Sequence, residues 1–205
     1  MYNCCDSDNC INIFERNRIM KKILAIGASS SRQSINQQLA NYVASQVKGA
    51  EVNLLDLNNY EMPIYSIDRE KEGGISALAQ EFKQQIEESD AIVLSLAEHN
   101  GTYTTAFKNI LDWASRLEGK LWGEKPMFLL ASSPGGRGGK TVLDLAKTYL
   151  PFMGADIVAS LSLPSFYNNF NQEEGITDAI LRTTFASQLA EFDRVIEQKM
   201  NQLQD

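Results

Sequence analysis

From residue 22 onward, short apolar runs alternate with longer segments in which apolar residues recur every three or four positions. The short runs, at residues 23–27, 52–57, 90–96, 126–131 and 157–163, read as buried strands. Between them the longer period predicts helices over 34–47, 75–87, 103–117 and 140–150, the last closed by Pro151. Ile35, Leu39, Val43 and Val47 share one face of the first helix, and Phe107, Ile110, Leu111 and Ala114 point inward on the third. Leu181, Phe185, Leu189, Phe192, Ile196, Met200 and Leu203 then mark one long amphipathic helix at the C-terminus. Residues 58–74, with Pro63 and the Gly73-Gly74 pair, read as a polar loop.

Continuous apolar strands are what a parallel sheet covered on both faces requires. The expected fold class is therefore α/β, a doubly wound five-stranded parallel sheet with helices on both faces. Ligands of such sheets sit beyond the C-terminal ends of the strands, where the strand order switches. The loops after the first, third and fourth strands are the places to look for chemistry.

Composition narrows the possibilities. The 205 residues, 43% hydrophobic and 22% charged, suit one globular domain. A formal charge of -7 argues against nucleic acid or an anionic membrane as the main partner. With neither a long apolar span nor a secretory signal pattern, a cytoplasmic protein is expected. Residues 1–19 show no periodicity. The expectation is an extension that is disordered or precedes a true start at Met20, with the domain occupying 20–205. All three cysteines, Cys4, Cys5 and Cys10, fall in that extension, and the lone histidine is His99. Beyond residue 10 there is no thiol nucleophile or Cys-based zinc site, and no metal site is expected.

The loop after the first strand reads Gly27-Ala28-Ser29-Ser30-Ser31-Arg32-Gln33-Ser34-Ile35-Asn36 and runs into a helix. Hydroxyls, an amide and an Arg at a helix N-terminus favour a phosphate. Ser34 alternatively serves only as a helix cap, with Gln37 completing a capping box. The loop after the third strand, Ala97-Glu98-His99-Asn100-Gly101-Thr102-Tyr103, places a turn and ring side chains at the sheet mouth, where a flat heteroaromatic edge fits. The loop after the fourth strand, Ser132-Ser133-Pro134-Gly135-Gly136-Arg137-Gly138-Gly139-Lys140-Thr141, is glycine-rich and permits close backbone approach. Its Gly139-Lys140-Thr141 ending imitates a P-loop, but Pro134 stands where the first glycine of that motif belongs.

In order and spacing these three loops resemble the NADPH-dependent FMN reductase family of flavodoxin-like proteins, which includes quinone, azo-dye and chromate reductases. Ser29, Ser34 and Asn36 match the family's phosphate loop. Glu98, Asn100 and Gly101 match the P-E-Y-N-G loop that lies against the isoalloxazine ring, and Ser132, Ser133, Pro134, Gly135 and Gly136 match the loop at the ring's other edge. Ser31 stands where the family usually has Arg, with Arg32 one place later. Ala97 replaces Pro, and His99 replaces Tyr, so the ring beside the flavin is smaller.

The resemblance implies FMN held by Ser29, Ser31, Arg32, Ser34, Ile35 and Asn36 on the first loop, by Glu98, His99, Asn100 and Gly101 on the second, and by 132–136 on the third. It implies NADPH or NADH as hydride donor, a quinone-like, azo or other small-molecule acceptor, and a homodimer or homotetramer. The chemistry would be borne by the flavin, with no catalytic side chain. Trp113, Trp122, Phe166, Tyr167 and Phe170 are expected at the surface, leaving room for subunit contact. A flavodoxin-type electron carrier and a binding protein that kept the fold are the alternatives.

Overall fold

The computed structural model describes residues 20–202; the extension at 1–19 and Leu203 of the C-terminal seam lie outside them. The chain runs β1 (Lys21–Ala28), α1 (Ile35–Ser45), β2 (Ala50–Leu55), α2 (Ile67–Gly73), α3 (Ala77–Glu87), β3 (Ala91–Leu96), α4 (Thr105–Ala114), β4 (Pro126–Ser132), α5 (Lys140–Tyr149) and β5 (Asp156–Leu163). It ends with α6 (Phe166–Asn169), the short pair β6 (Phe170–Asn171) and β7 (Gly175–Ile176), and the long α7 (Ala179–Gln202). No helix among the described residues is long and apolar enough to cross a membrane.

The five main strands are parallel and ordered β2-β1-β3-β4-β5, the flavodoxin-like order. Alternate strand residues face opposite layers. Leu24, Ile26, Ile92, Leu94, Met127 and Leu129 meet α3, α4 and α5, whereas Ile23, Ala25, Val93, Phe128 and Leu130 meet α1 and α7. Phe82, Phe128 and Phe192 are fully buried, and truncating any of them to Ala costs about 3–5 kcal/mol.

The helix faces read from periodicity are the packed ones. Phe107, Ile110, Leu111 and Ala114 are buried on α4, and Phe185, Phe192 and Ile196 on α7, with Leu181, Leu189 and Met200 packed beside them. The buried Lys21 ties α7 to the sheet through Asp193 at 2.7 Å and Glu197 at 3.1 Å.

Three expectations need correction. β2 is an edge strand with Glu51, Asn53 and Leu54 exposed rather than a buried run, and it stops at Leu55. There Asp56 caps a single 3₁₀ turn, Leu57–Tyr60, by accepting the Asn58 N–H. Within the expected polar loop lies α2, capped by Ser66 and without one buried residue, so it has no apolar stripe to announce it. Of the five aromatics expected at the surface, only Tyr167 is exposed, at 71%. Trp113 packs edge-on against Tyr65 and Trp122 against Phe82, while Phe166 stacks on Phe170.

One glycine decides how the first loop meets the sheet. A Cβ on Gly27 would stand 2.4 Å from the Gln37 Cα, so only glycine lets α1 close onto the end of β1. This contact sets the N-terminus of α1 at the strand-order switch between β1 and β3.

Candidate functional site

At that switch, one cleft of about 230 Å³ gathers the loops after β1, β3 and β4. Ser29, Ser31, Ser34, Ile35 and Asn36 line it from the first loop, Glu98 and His99 from the second, and Ser132, Ser133 and Pro134 from the third. Arg32, Asn100, Gly101, Gly135 and Gly136 belong to the same loops but do not line this cleft.

The first loop is built from hydroxyls that accept hydrogen bonds from their own backbone. Ser29 Oγ accepts the Ser31 N–H at 3.2 Å, Ser31 Oγ accepts the Gln33 N–H at 3.4 Å, and Ser34 Oγ caps α1 by accepting the Gln37 N–H at 3.1 Å. Each hydroxyl acts as acceptor in these turns, so each keeps its proton to donate. The N–H groups of Ile35 and Asn36, first in α1, meet no acceptor among the described residues. The capping box is half-formed: the Ser34 N–H donates to the Ser31 carbonyl at 3.0 Å instead of to Gln37. The exposed Arg32 has no ion pair among the described residues.

Beneath the cleft, Asn36 is a bolt. Its Nδ2 donates to the Ser132 carbonyl at 3.2 Å, and its Oδ1 accepts from Ser95 Oγ at 2.8 Å and the Ser132 N–H at 3.1 Å. Ser132 Oγ in turn donates to the Leu163 carbonyl at 2.8 Å. Asn36 and Ser132 are both buried, so these bonds join α1, β3, β4 and β5 where strong polar pairing counts most.

The second loop is a type I′ turn. Asn100 and Gly101 carry φ of 53° and 81°, and His99 and Thr102 exchange both backbone hydrogen bonds across it at 3.0 and 3.2 Å. An Asn-Gly pair is what this turn demands, and it leaves both of their N–H groups without an acceptor among the described residues. His99 is exposed. Glu98 folds back from the turn, its Oε2 accepting the Val142 N–H in the first turn of α5 at 3.1 Å.

In the third loop, Gly138 and Gly139 take left-handed φ of 58° and 70°, and a Cβ on Gly138 would stand 2.5 Å from Ser162 Oγ and 2.7 Å from the Pro164 nitrogen. Gly135 and Gly136 are open: a Cβ on Gly136 would meet nothing within 4 Å. The Ser165 N–H donates to the Gly135 carbonyl at 2.9 Å and the Phe166 N–H to the Ser133 carbonyl at 3.1 Å, so the segment after β5 is bound to this loop. That contact brings Tyr167 to the cleft wall, a site residue absent from the predicted set. Its available signal was an aromatic pair, Phe166-Tyr167, in a polar segment just after the last strand.

Comparison with known proteins identifies the family. The profile described as NADPH-dependent FMN reductase matches residues 21–168. The chain belongs to the NADPH-dependent FMN reductase family. A 2-hydroxy-1,4-benzoquinone reductase of Burkholderia sp is 34% identical over 119 residues, covering 57% of this chain and 63% of that protein. An NADPH:quinone oxidoreductase of Arabidopsis thaliana is 27% identical over 124 residues, covering 58% and 62%. The alignments span about three fifths of these curated relatives.

Among solved structures, the flavoenzyme NAD(P)H:(acceptor) oxidoreductase FerB from Paracoccus denitrificans superposes with a TM-score of 0.67 at 24% identity, covering 88% of this chain and 98% of that one. An azoreductase from Bacillus anthracis str. Sterne gives a TM-score of 0.57 at 18% identity, covering 87% and 100%. At these identities the likeness is one of fold.

Proposed function

We propose that this chain holds FMN in the cleft between the loops after β1, β3 and β4, and passes reducing equivalents from NAD(P)H to a quinone-like, azo or other small acceptor. The observation that carries the reading is the convergence of unspent donors. Three serine hydroxyl protons and the N–H groups of Ile35 and Asn36 lie on the loop at the end of β1, while those of Asn100 and Gly101 at the end of β3 have no acceptor among the described residues. The first set suits a phosphate at a helix N-terminus. The second set suits the polar edge of a flat ring.

When bound, the flavin supplies the hydride chemistry. Around it, the residues of this chain bind and orient. Ser29, Ser31 and Ser34 would donate to the phosphate, with Arg32 on the same loop adding positive charge. Asn100 and Gly101 would offer backbone N–H groups to the polar edge of the ring, and Gly135 and Gly136 would offer a surface without side chains. Glu98 is turned toward α5, which keeps its carboxylate occupied by a backbone donor. No side chain is asked to act as acid or nucleophile.

A homodimer or homotetramer in the cytoplasm is part of the same reading, supported by exposed apolar side chains such as Ile64 at 68% and Phe152 at 79%. Anaerobic mixing of FMN-loaded protein with NADPH, followed by a quinone, tests the function. Rapid flavin bleaching and reoxidation by quinone are expected. A flavin reduced only by a separate reductase would identify an electron carrier instead.

A further inference from the structure

The third loop also lines a second groove, of about 660 Å³, through Gly136, Arg137, Lys140 and Thr141. Its apolar floor includes Pro164 and Leu181, and Arg137 and Lys140 stand on its rim. The left-handed glycines at 138 and 139 turn the backbone between these two cations, so both face one groove. Arg137 Nη2 donates to Thr141 Oγ1 at 2.7 Å and has no ion pair among the described residues. Lys140 pairs with Asp144 at 2.7 Å. Two cations against one carboxylate leave this rim positive on a chain whose formal charge is -7.

The groove on the opposite flank differs in charge. About 300 Å³ in volume, it is lined by Tyr60, Met62 and Ile64 with Glu61, and by no Lys or Arg. A molecule carrying several phosphate charges is repelled by such a carboxylate and attracted by an Arg–Lys rim. Adenine needs an apolar bed, which Pro164 and Leu181 offer.

Resting on the flavin reading above, we propose that the Arg137–Lys140 groove receives the adenylate half of the nicotinamide dinucleotide. The 2′-phosphate lies against Arg137 and Lys140, and the adenine over Pro164 and Leu181. The Gly139-Lys140-Thr141 segment that imitates a P-loop thereby acquires a role: its lysine meets a phosphate through the side chain, outside any P-loop. A consequence is preference for NADPH over NADH.

Calorimetric titration of the full chain with 2′,5′-ADP and with ADP, for the unsubstituted protein and for Arg137→Gln/Lys140→Gln, tests this. Both side chains are exposed, and unchanged circular dichroism with unchanged FMN uptake reports an intact fold. The expected result is tighter binding of 2′,5′-ADP than of ADP, weakened roughly tenfold or more by the double substitution. The KM for NADPH rises in parallel while that for NADH moves little. Equal 2′,5′-ADP binding by both proteins, or no preference over ADP, overturns the proposal. A chain that takes up no FMN sinks the flavin reading instead, and the 2′,5′-ADP titration still decides the groove.

Discussion

The Glu98 carboxylate accepts the Val142 N–H at 3.1 Å, fastening the turn after β3 to the first turn of α5 across the mouth of the sheet. One bond thus ties the turn after β3 to the helix that follows the other loop flanking the proposed ring site. Glu98→Ala leaves a helix N–H uncapped, which costs about 1 kcal/mol, and frees the two loops to drift. FMN affinity is expected to fall roughly tenfold, the equivalent of about 1.4 kcal/mol, and Glu98→Gln, which keeps an acceptor, to recover most of it. Fluorescence titration with FMN reads both; an alanine variant with full affinity contradicts the role.

Asn36 makes three buried hydrogen bonds, to Ser95 and to both backbone groups of Ser132. Asn36→Ala strands the Ser95 hydroxyl and the Ser132 N–H away from water. A loss of about 2–4 kcal/mol is expected in urea unfolding. A loss below about 1 kcal/mol would show that water replaces the amide at no great cost.

Gly138 and Gly136 share a loop and differ in surroundings. Gly138→Ala drives a Cβ into Ser162 and Pro164 at a left-handed φ, and should lower the melting temperature by many degrees. Gly136→Ala meets open space and should leave the melting temperature nearly unchanged. Equal effects from the two would mean that the loop is not held as described.

Burial, reinforced by the neighbouring Tyr149, pushes the Tyr103 phenol up from its ordinary 10.0 to about 12. A phenol harder to ionise in the folded chain stabilises it fully below the unfolded value and loses that contribution as pH rises through the folded one. Stability should therefore drop by about 2 kcal/mol between pH 10 and about 12. Its hydroxyl also has no partner among the described residues. Tyr103→Phe should abolish that alkaline loss and match or exceed the parent by up to about 1 kcal/mol at neutral pH. Urea midpoints of the two proteins across this range decide, since their difference isolates Tyr103 from the other tyrosines. Parallel curves would contradict the assignment.

Period was legible wherever it reported burial. The strands from Ile23, Ala91 and Pro126 are buried, and the marked faces of α1, α4 and α7 pack on the core, with Ile35, Leu181, Leu189 and Met200 half-buried at their edges. It failed where structure does not depend on burial. α2 is held by the Ser66 cap and by acidic residues in its first turn, with no buried face. Trp113 and Trp122 sit where a linear pattern does not reveal that Pro63 and Phe82 cover them.

At the candidate site, residue types drew attention to three loops that meet at one cleft, because Ser-rich turns and Asn-Gly pairs follow local rules. Long-range partners were invisible. Only the fold shows Asn36 bolted to Ser95 and Ser132, Glu98 spent on Val142, and Tyr167 carried to the cleft by two backbone bonds from the segment after β5.

The proposed phosphate cradle at the start of α1 is the centre of the functional reading, and FMN differs from riboflavin only by a phosphate. Equilibrium titration of the flavin-free full chain with each, followed by flavin fluorescence, isolates it. FMN should bind at one per chain and at least roughly a hundredfold more tightly than riboflavin, since charge-assisted hydrogen bonds contribute about 1.5–3 kcal/mol each. Equal affinities for the two flavins, or no binding of FMN, would contradict the cradle and with it the reductase reading.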